Sequence, residues 1–251
     1  MTIKDKALFS LLKGILGNQY PPESSLPPER DLARSLQVSR NTLREVLRVL
    51  SSWGLCRIRK GSGIRVRSFR EEAHFDIVPS YISMGMPGSD PVVFFRQLID
   101  LVACETAAVA ELAAMKAARE GIDLRAARAC FAEALRSCSR DVDRFNDSMY
   151  GITLEMCRAS GNMPALWLLN SLGIFRENIM NQQFTRFVAE GFMGAHGWEK
   201  HVAAMLDAVE RGDGRAAREH THRHFEQVRQ ELSGLPFSAQ EPAAPETGDQ
   251  L

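Results

Sequence analysis

Apolar residues recur at helical spacing at the start of the chain. Ala7, Leu8, Leu11, Leu12 and Ile15 share one face and stop at Gly17, which predicts a first helix. A stretch rich in Pro and Ser (Pro21, Pro22, Ser24, Ser25) leads to Pro27 and Pro28. Glu29 and Asp31 then fall in the first turn of a short second helix ending near Leu36, where the helix dipole favours anions. Ser39 is a good N-cap for a third helix, with Val38 and Leu43 spaced as a hydrophobic staple. That third helix is two-faced: Leu43, Val46, Leu47 and Leu50 line one side, while Arg40, Arg44 and Arg48 recur at i, i+4, i+8 on another. Past Gly54 the period drops to two. Cys56, Ile58, Ile64 and Val66 alternate with Arg57, Arg59, Arg65 and Arg67 around a Lys60-Gly61-Ser62-Gly63 turn. This predicts a two-stranded hairpin with an apolar inner face and an arginine-covered outer face.

From residue 71 onward the period is helical and no second alternating pair occurs. A connecting helix is predicted over residues 71–83, ending before Gly85, Pro87 and Gly88. A long amphipathic segment over 92–119 follows, then helices over 123–137, 141–159, 163–182, 199–211 and 214–232. After Leu235 the composition turns to Pro, Ala, Glu, Gln and Gly, the signature of a disordered tail. The predicted fold is mainly α: an N-terminal winged helix-turn-helix of three helices and a β-hairpin wing, joined to an antiparallel all-helical bundle. The domain limits are 1–70 for the winged module, 71–90 for the connecting helix and linker, 91–235 for the bundle and 236–251 for the tail.

Composition narrows the function classes. The chain has 251 residues, 45% hydrophobic and 25% charged, which excludes fibrous and disordered proteins. No apolar run approaches bilayer length, and Met1–Lys6 lacks the apolar core of a secretory signal, so a cytoplasmic protein without a membrane partner is expected. Five cysteines (Cys56, Cys104, Cys130, Cys138, Cys157) with no CxxC pair fit neither a disulfide framework nor a zinc ribbon and read as small buried hydrophobes. Charge changes the picture most. Residues 1–70 hold 14 Lys and Arg against 5 Asp and Glu, while the remainder holds 17 against 26. A cationic module joined to an acidic domain suits a polyanion.

The arrangement of those charges points to DNA. An arginine stripe at the start of the third helix can reach phosphates and guanine edges in the major groove while the apolar stripe seats the helix on the other two. Arg57, Arg59, Lys60, Arg65 and Arg67 surround a glycine turn able to approach a neighbouring groove.

The runs Leu26-Pro27-Pro28-Glu29-Arg30-Asp31-Leu32-Ala33 and Val38-Ser39-Arg40-Asn41-Thr42-Leu43-Arg44-Glu45-Val46-Leu47 closely resemble the N-terminal signature of GntR-type transcriptional regulators. Gly54-Leu55 and the Lys60–Gly63 wing extend the resemblance over about residues 7–67. It implies a homodimeric repressor or activator of a short palindromic operator in double-stranded DNA. The residues implied to contact DNA are Arg30 of the second helix, Ser39, Arg40, Asn41, Thr42 and Arg44 of the recognition helix, and Lys60 and Gly61 of the wing, flanked by Arg59 and Arg65.

The all-helical remainder, with Arg158-Ala159-Ser160-Gly161-Asn162 after one helix and Gly212-Asp213 leading to His224-Phe225, looks like the FadR-like subfamily over residues 71–233. Many of its members hold a divalent metal through an Asp and three His. Counting from the two anchors puts the Asp on Met149, the first His on Thr153 and the third ligand on Val202, with His201 one residue out of phase. Only His224 is kept. A His201, His220, His224 set is a rescue reading, and the expectation is no metal and no cofactor. The subfamily's carboxylate-anchoring Arg has no counterpart in Asp100–Glu105. An apolar interior drawing on Met149, Ile152, Met156, Leu166, Trp167, Leu169, Leu172, Phe175, Met180 and Phe184 suits a greasy effector, such as a fatty acyl-CoA, or another carboxylate metabolite. The candidate effector residues are Met149, Thr153, Met156, Trp167, Phe175, His201 and His224. Two other functions compete with the ligand-responsive regulator: a helical-bundle metalloenzyme using His201, His220 and His224, and an architectural DNA-binding protein without effector. No nucleophile, Walker or dinucleotide motif supports an enzyme.

Overall fold

In a computed structural model, which describes residues 2–59, 63–85, 88–138, 140–179 and 197–234, the chain divides into two compact units with the boundary between Asp90 and Pro91. In the first, α1 (Ile3–Leu16) starts at a capping box in which Thr2 and Asp5 each bond the other's backbone N–H. Two further helices follow, α2 (Glu29–Ser35) and α3 (Arg40–Ser52). The apolar faces of all three meet: Leu11, Leu12, Leu32, Leu43, Leu47 and Leu50 are fully buried. Each such side chain contributes about 1.5–3 kcal/mol of transfer free energy to this small core.

Strands β1 (Cys56–Arg59) and β2 (Gly63–Val66) pair antiparallel, with Cys56 opposite Val66 and Ile58 opposite Ile64. Cys56, Ile64 and Val66 are buried, but Ile58 is 44% exposed, so at that pair the predicted inner face is covered on β2 only. Cys56 is seated on the recognition helix, its thiol against the Leu47 carbonyl, and the wing projects beyond that support. On the other side of β2 the Pro/Ser-rich stretch runs alongside after a turn at Glu23: Leu26 N–H bonds the Ile64 carbonyl at 2.8 Å, and Val66 and Glu23–Ser24 exchange two bonds of 2.9 Å. That flanking segment supports β2 and was legible only as loop.

The single connecting helix predicted over residues 71–83 is not formed. In its place stand α4 (Phe69–Glu72), a 3₁₀ turn (Phe75–Ile77) and α5 (Val78–Ser83). Ala73 is extended (φ −66°, ψ 140°), because His74 turns back to the end of α3: its N–H bonds the Trp53 carbonyl at 2.8 Å and its Nδ1 lies 2.6 Å from the Ser52 carbonyl. Gly54 makes the junction possible. Its φ is +77°, and a Cβ there would collide with the Glu72 carbonyl.

The second unit is helical throughout its described residues: α6 (Pro91–Glu120), α7 (Arg125–Ser137), α8 (Val142–Ser160), α9 (Met163–Ile179), α10 (Trp198–Glu210) and α11 (Gly214–Gly234). The core joins Phe145, Ile152 and Met156 of α8 with Ala110, Ala113 and Ala114 of α6, and with Leu206, Val209 and Val228 of the last two helices. Trp198 sits edge-on to Phe131 and Phe145. Gly212 (φ +74°) brings the α10–α11 turn onto α6, where a Cβ would lie 2.8 Å from that of Ala118, and Asp213 caps α11 through the Ala216 N–H. Helices α6 and α11 run antiparallel, joined by Arg229–Asp100 and Arg218–Glu111 ion pairs, both 2.9 Å. No described helix is long and apolar enough to cross a membrane. The expected tail over 236–251 lies outside the described residues.

Candidate nucleic-acid interface

The recognition helix is built from a local signal. Ser39 Oγ accepts the Thr42 N–H at 3.0 Å and lies 2.8 Å from Thr42 Oγ1, so both hydroxyls fix the helix start. From that start Arg40, Asn41, Arg44 and Arg48 are exposed while Leu43, Val46, Leu47 and Leu50 are buried. The arginines differ in their freedom. Arg40, Arg48 and Arg59 make no ion pair with any described residue, which leaves their guanidinium groups open to an external anion. Arg44 donates through Nε to Glu29 Oε2 at 2.8 Å, a bond from the second helix to the recognition helix. Arg65 on the wing pairs with Glu23 at 3.0 Å, and Arg30 lies 3.4 Å from its neighbour Asp31 with two thirds of its side chain exposed. Such exposed pairs are weak and exchange readily for phosphate.

Arg67 serves the fold. It is paired with Glu72, whose carboxyl is held below the usual range first by that bond. The Glu72 carboxylate also accepts the Ser68 N–H, tying the wing's last strand to α4. Lys60 and Gly61 lie outside the described residues. The structure therefore brings Arg30, Ser39, Arg40, Asn41, Thr42, Arg44, Arg59 and Arg65 into one module whose exposed cations lie on α2, α3 and the wing. Sequence reasoning missed Glu29 as the partner of Arg44. The signal was a first-turn carboxylate standing immediately before Arg30.

The bundle interior assembles a different set from the one expected. Thr153 and Met156 are buried on α8 and Met149 is half-buried. Trp167 is 60% exposed on α9, outside the buried core of the described residues. The Phe175 side chain, Met180 and Phe184 lie outside the described residues. Val202 is packed in the core, whereas His201 turns toward α11 with its ring 6.4 Å from that of His220. His224 is buried against Phe225. Burial, followed by the charge of His201, pushes its imidazole down to about 4. Burial also lowers His201.

These residues do not fit the subfamily's metal. The positions of its Asp and first His are a thioether and a hydroxyl, and among the described residues no three His, Cys, Asp or Glu are placed to hold an ion. Sequence reasoning also missed Glu105 on α6, whose carboxyl is pushed up to about 7 by burial. Its signal was a lone acid among Val102, Ala103, Thr106 and Val109.

Residues 5–66 match the family described as bacterial regulatory proteins, gntR family. The fatty acid metabolism regulator protein of Edwardsiella ictaluri is 33% identical over 162 residues, 64% of each chain. The Uxu operon transcriptional regulator of Escherichia coli K12 is 29% identical over 227 residues, 89% of this chain and 83% of that one. With several other regulators the match spans about half of the relative's length. A solved structure of Lar, which controls expression of the agr system of Listeria monocytogenes, shares the fold at TM-score 0.57 and 17% identity, over 94% of this chain and 99% of that one.

Proposed function

We propose that this chain, whose residues 5–66 match the gntR family of bacterial regulatory proteins, is a transcriptional regulator that binds a short palindromic operator as a homodimer and is controlled by a small-molecule effector in its helical bundle. The single observation that carries the DNA reading is the exposed face of α3. Arg40 and Arg48 lie open there and Arg44 is oriented by Glu29, on a helix anchored by four buried apolar residues. Arg59 and Arg65 on the wing extend the positive surface. A palindromic site follows from two-fold symmetry, since two copies of one recognition helix read two inverted half-sites. Regulation follows from a bundle whose effector shifts the balance between states of different operator affinity. A bacterial cytoplasm is the compartment that gives such a protein its DNA. The architectural reading leaves the helical bundle without a task, and the relatives that the chain matches are named as regulators.

The test is operator selection from random duplexes, followed by binding at several salt concentrations. Arg40→Ala or Arg44→Ala costs about 1–3 kcal/mol and relaxes specificity at one position if the side chain reads a base. Arg59→Ala or Arg65→Ala weakens binding to all sequences and flattens the salt slope by about one unit. A selection that enriches no sequence refutes the regulator.

A further inference from the structure

The chain that leaves the wing is fastened back onto the DNA-binding unit at several points. The His74 N–H bonds the Trp53 carbonyl at 2.8 Å, and its ring donates from Nδ1 to the Ser52 carbonyl at 2.6 Å, so the end of the recognition helix holds both backbone and side chain. The Glu72 carboxylate accepts from Arg67 and from the Ser68 N–H, and the side chains of this ion pair are only 31% and 25% exposed. The Glu72 carbonyl closes on Gly54, where a Cβ would collide with it. The far end is held as well. Arg70 lies over the Phe69 ring at 5.3 Å and donates to the Gly88 carbonyl at 2.9 Å, while Tyr81 meets the Phe69 ring and shares a hydrogen bond with Ser89 Oγ. Ile77, Val78 and Tyr81 are buried. Residues 68–89 thus form a folded arm of the first unit, which runs to Asp90.

A dimer that reads two half-sites at once tolerates a change in their spacing only as far as its recognition helices can move. One extra base pair shifts the second half-site by about 3.4 Å along the duplex and turns it by about 35° around it. A head hung on a flexible peptide follows that step at little cost. A head locked to a folded arm follows it only by breaking the fastening or by straining the duplex. Here the peptide just past β2, which could have served as the tether, is engaged through Glu72 and His74, with Ala73 extended between them. We infer that Glu72 and His74 are positioning residues that set the half-site spacing the protein accepts, by holding the arm of residues 68–89 against the end of the recognition helix and the last strand of the wing. They act through the arm and not by touching bases. This rests on the reading of the protein as a dimer on a palindromic operator and adds to it a determinant of spacing.

The test uses the full chain, the operator selected from random duplexes, and the same operator with one or two base pairs added or removed between its half-sites. A duplex carrying a single half-site measures recognition without spacing. The wild type binds the selected spacing about 10-fold or more tighter than the altered ones. His74→Pro suits the backbone, whose φ is −84° there after an extended Ala73, yet removes both bonds to the recognition helix. Glu72→Ala removes the bonds to Arg67 and Ser68. Each variant narrows the preference for the selected spacing by about 3–10-fold, the worth of one or two hydrogen bonds, and binds the single half-site within about 2-fold of wild type. His74→Asn, whose side-chain amide N–H can replace Nδ1–H, keeps most of the wild-type preference. A preference unchanged in both loosened variants overturns the inference. So does an equal loss on half-site and full operator, which assigns the two residues to the recognition surface. If circular dichroism shows His74→Pro unfolded, Glu72→Ala decides by the same ratio. Paired half-sites whose spacing the variants discriminate as the wild type does remove the inference and keep the regulator, whereas a selection that yields no paired half-sites removes the dimeric reading and the inference together.

Discussion

Two groups of the bundle, the buried His224 and the partly buried Glu105, titrate in opposite directions, which makes the stability of that unit a sensitive probe of Glu105. Burial lowers His224 from 6.5 to about 4 and raises Glu105 from 4.5 to about 7. For His224 the unfolded chain binds the proton first as pH falls. Stability is therefore full above pH 6.5 and declines toward pH 4, by about 2 kcal/mol at pH 5. For Glu105 the folded chain binds the proton first, so stability is gained below pH 7 and lost as pH rises through that value. The gain from pH 7 to 5 is about 1–2 kcal/mol after allowance for its partial exposure. In the wild type the two slopes nearly cancel. Glu105→Gln removes one of them and leaves a bundle that loses about 1–2 kcal/mol between pH 7 and 5 relative to wild type. His201 and His220, beside His224, and Cys157, beside Glu105, are common to both proteins and drop out of the difference. Urea unfolding at pH 5, 6 and 7 gives the measurement, with Trp53 and Trp167 changed to Phe so that Trp198, packed between Phe131 and Phe145, reports on the bundle alone. Superimposable pH profiles for wild type and Glu105→Gln refute the burial argument for that carboxyl.

Further substitutions test the first unit. Gly54→Ala forces a β-carbon onto the Glu72 carbonyl at a positive φ and lowers stability by about 2 kcal/mol or more, read as a drop of several degrees in melting temperature; an unchanged melting temperature places the junction elsewhere. Ser39→Ala removes the oxygen that accepts the Thr42 N–H and costs about 1 kcal/mol in chemical denaturation. Ser39→Asp, which restores an acceptor at that position, recovers most of this loss, and failure to recover it assigns Ser39 a role other than capping.

Much of the first unit was legible because its signals are local. The Ser39 cap, the split apolar and arginine faces of the third helix, and the change to period two after Gly54 all lie within one or two turns of the structure that they specify. The misses have longer reach. Residues 71–83 read as a helix until His74 binds back to Ser52 and Trp53, a contact invisible to periodicity. Ile58 continues the alternation correctly but is 44% exposed while Ile64 opposite it is buried, since the flanking Leu26 segment bonds along β2 and not β1. In α9 apolar residues occupy nearly every position from Met163 to Leu169, so spacing selects no inward face; Leu169 is buried while Trp167 and Leu168 are exposed.

Glu105 was hidden for a related reason. An acid on an amphipathic helix reads as solvated unless the partner helix is known, and here that partner begins more than a hundred residues later. Its register is set at the surface by Asp100–Arg229 and Glu111–Arg218, each an exposed pair worth under about 1 kcal/mol. Their small energies do not measure their importance. A slip of one residue along α11 rotates the helix face by about 100° and turns the core residues Phe225 and Val228 out of the cluster that they share with Val109 and Ala110. Weak pairs at both ends of the contact thus set the register, and the core between them, Val109 and Ala110 of α6 with Phe225 and Val228 of α11, supplies the stability. Specificity of placement and strength of packing are carried by different residues, which is why the burial of Glu105 could not be read from either helix alone.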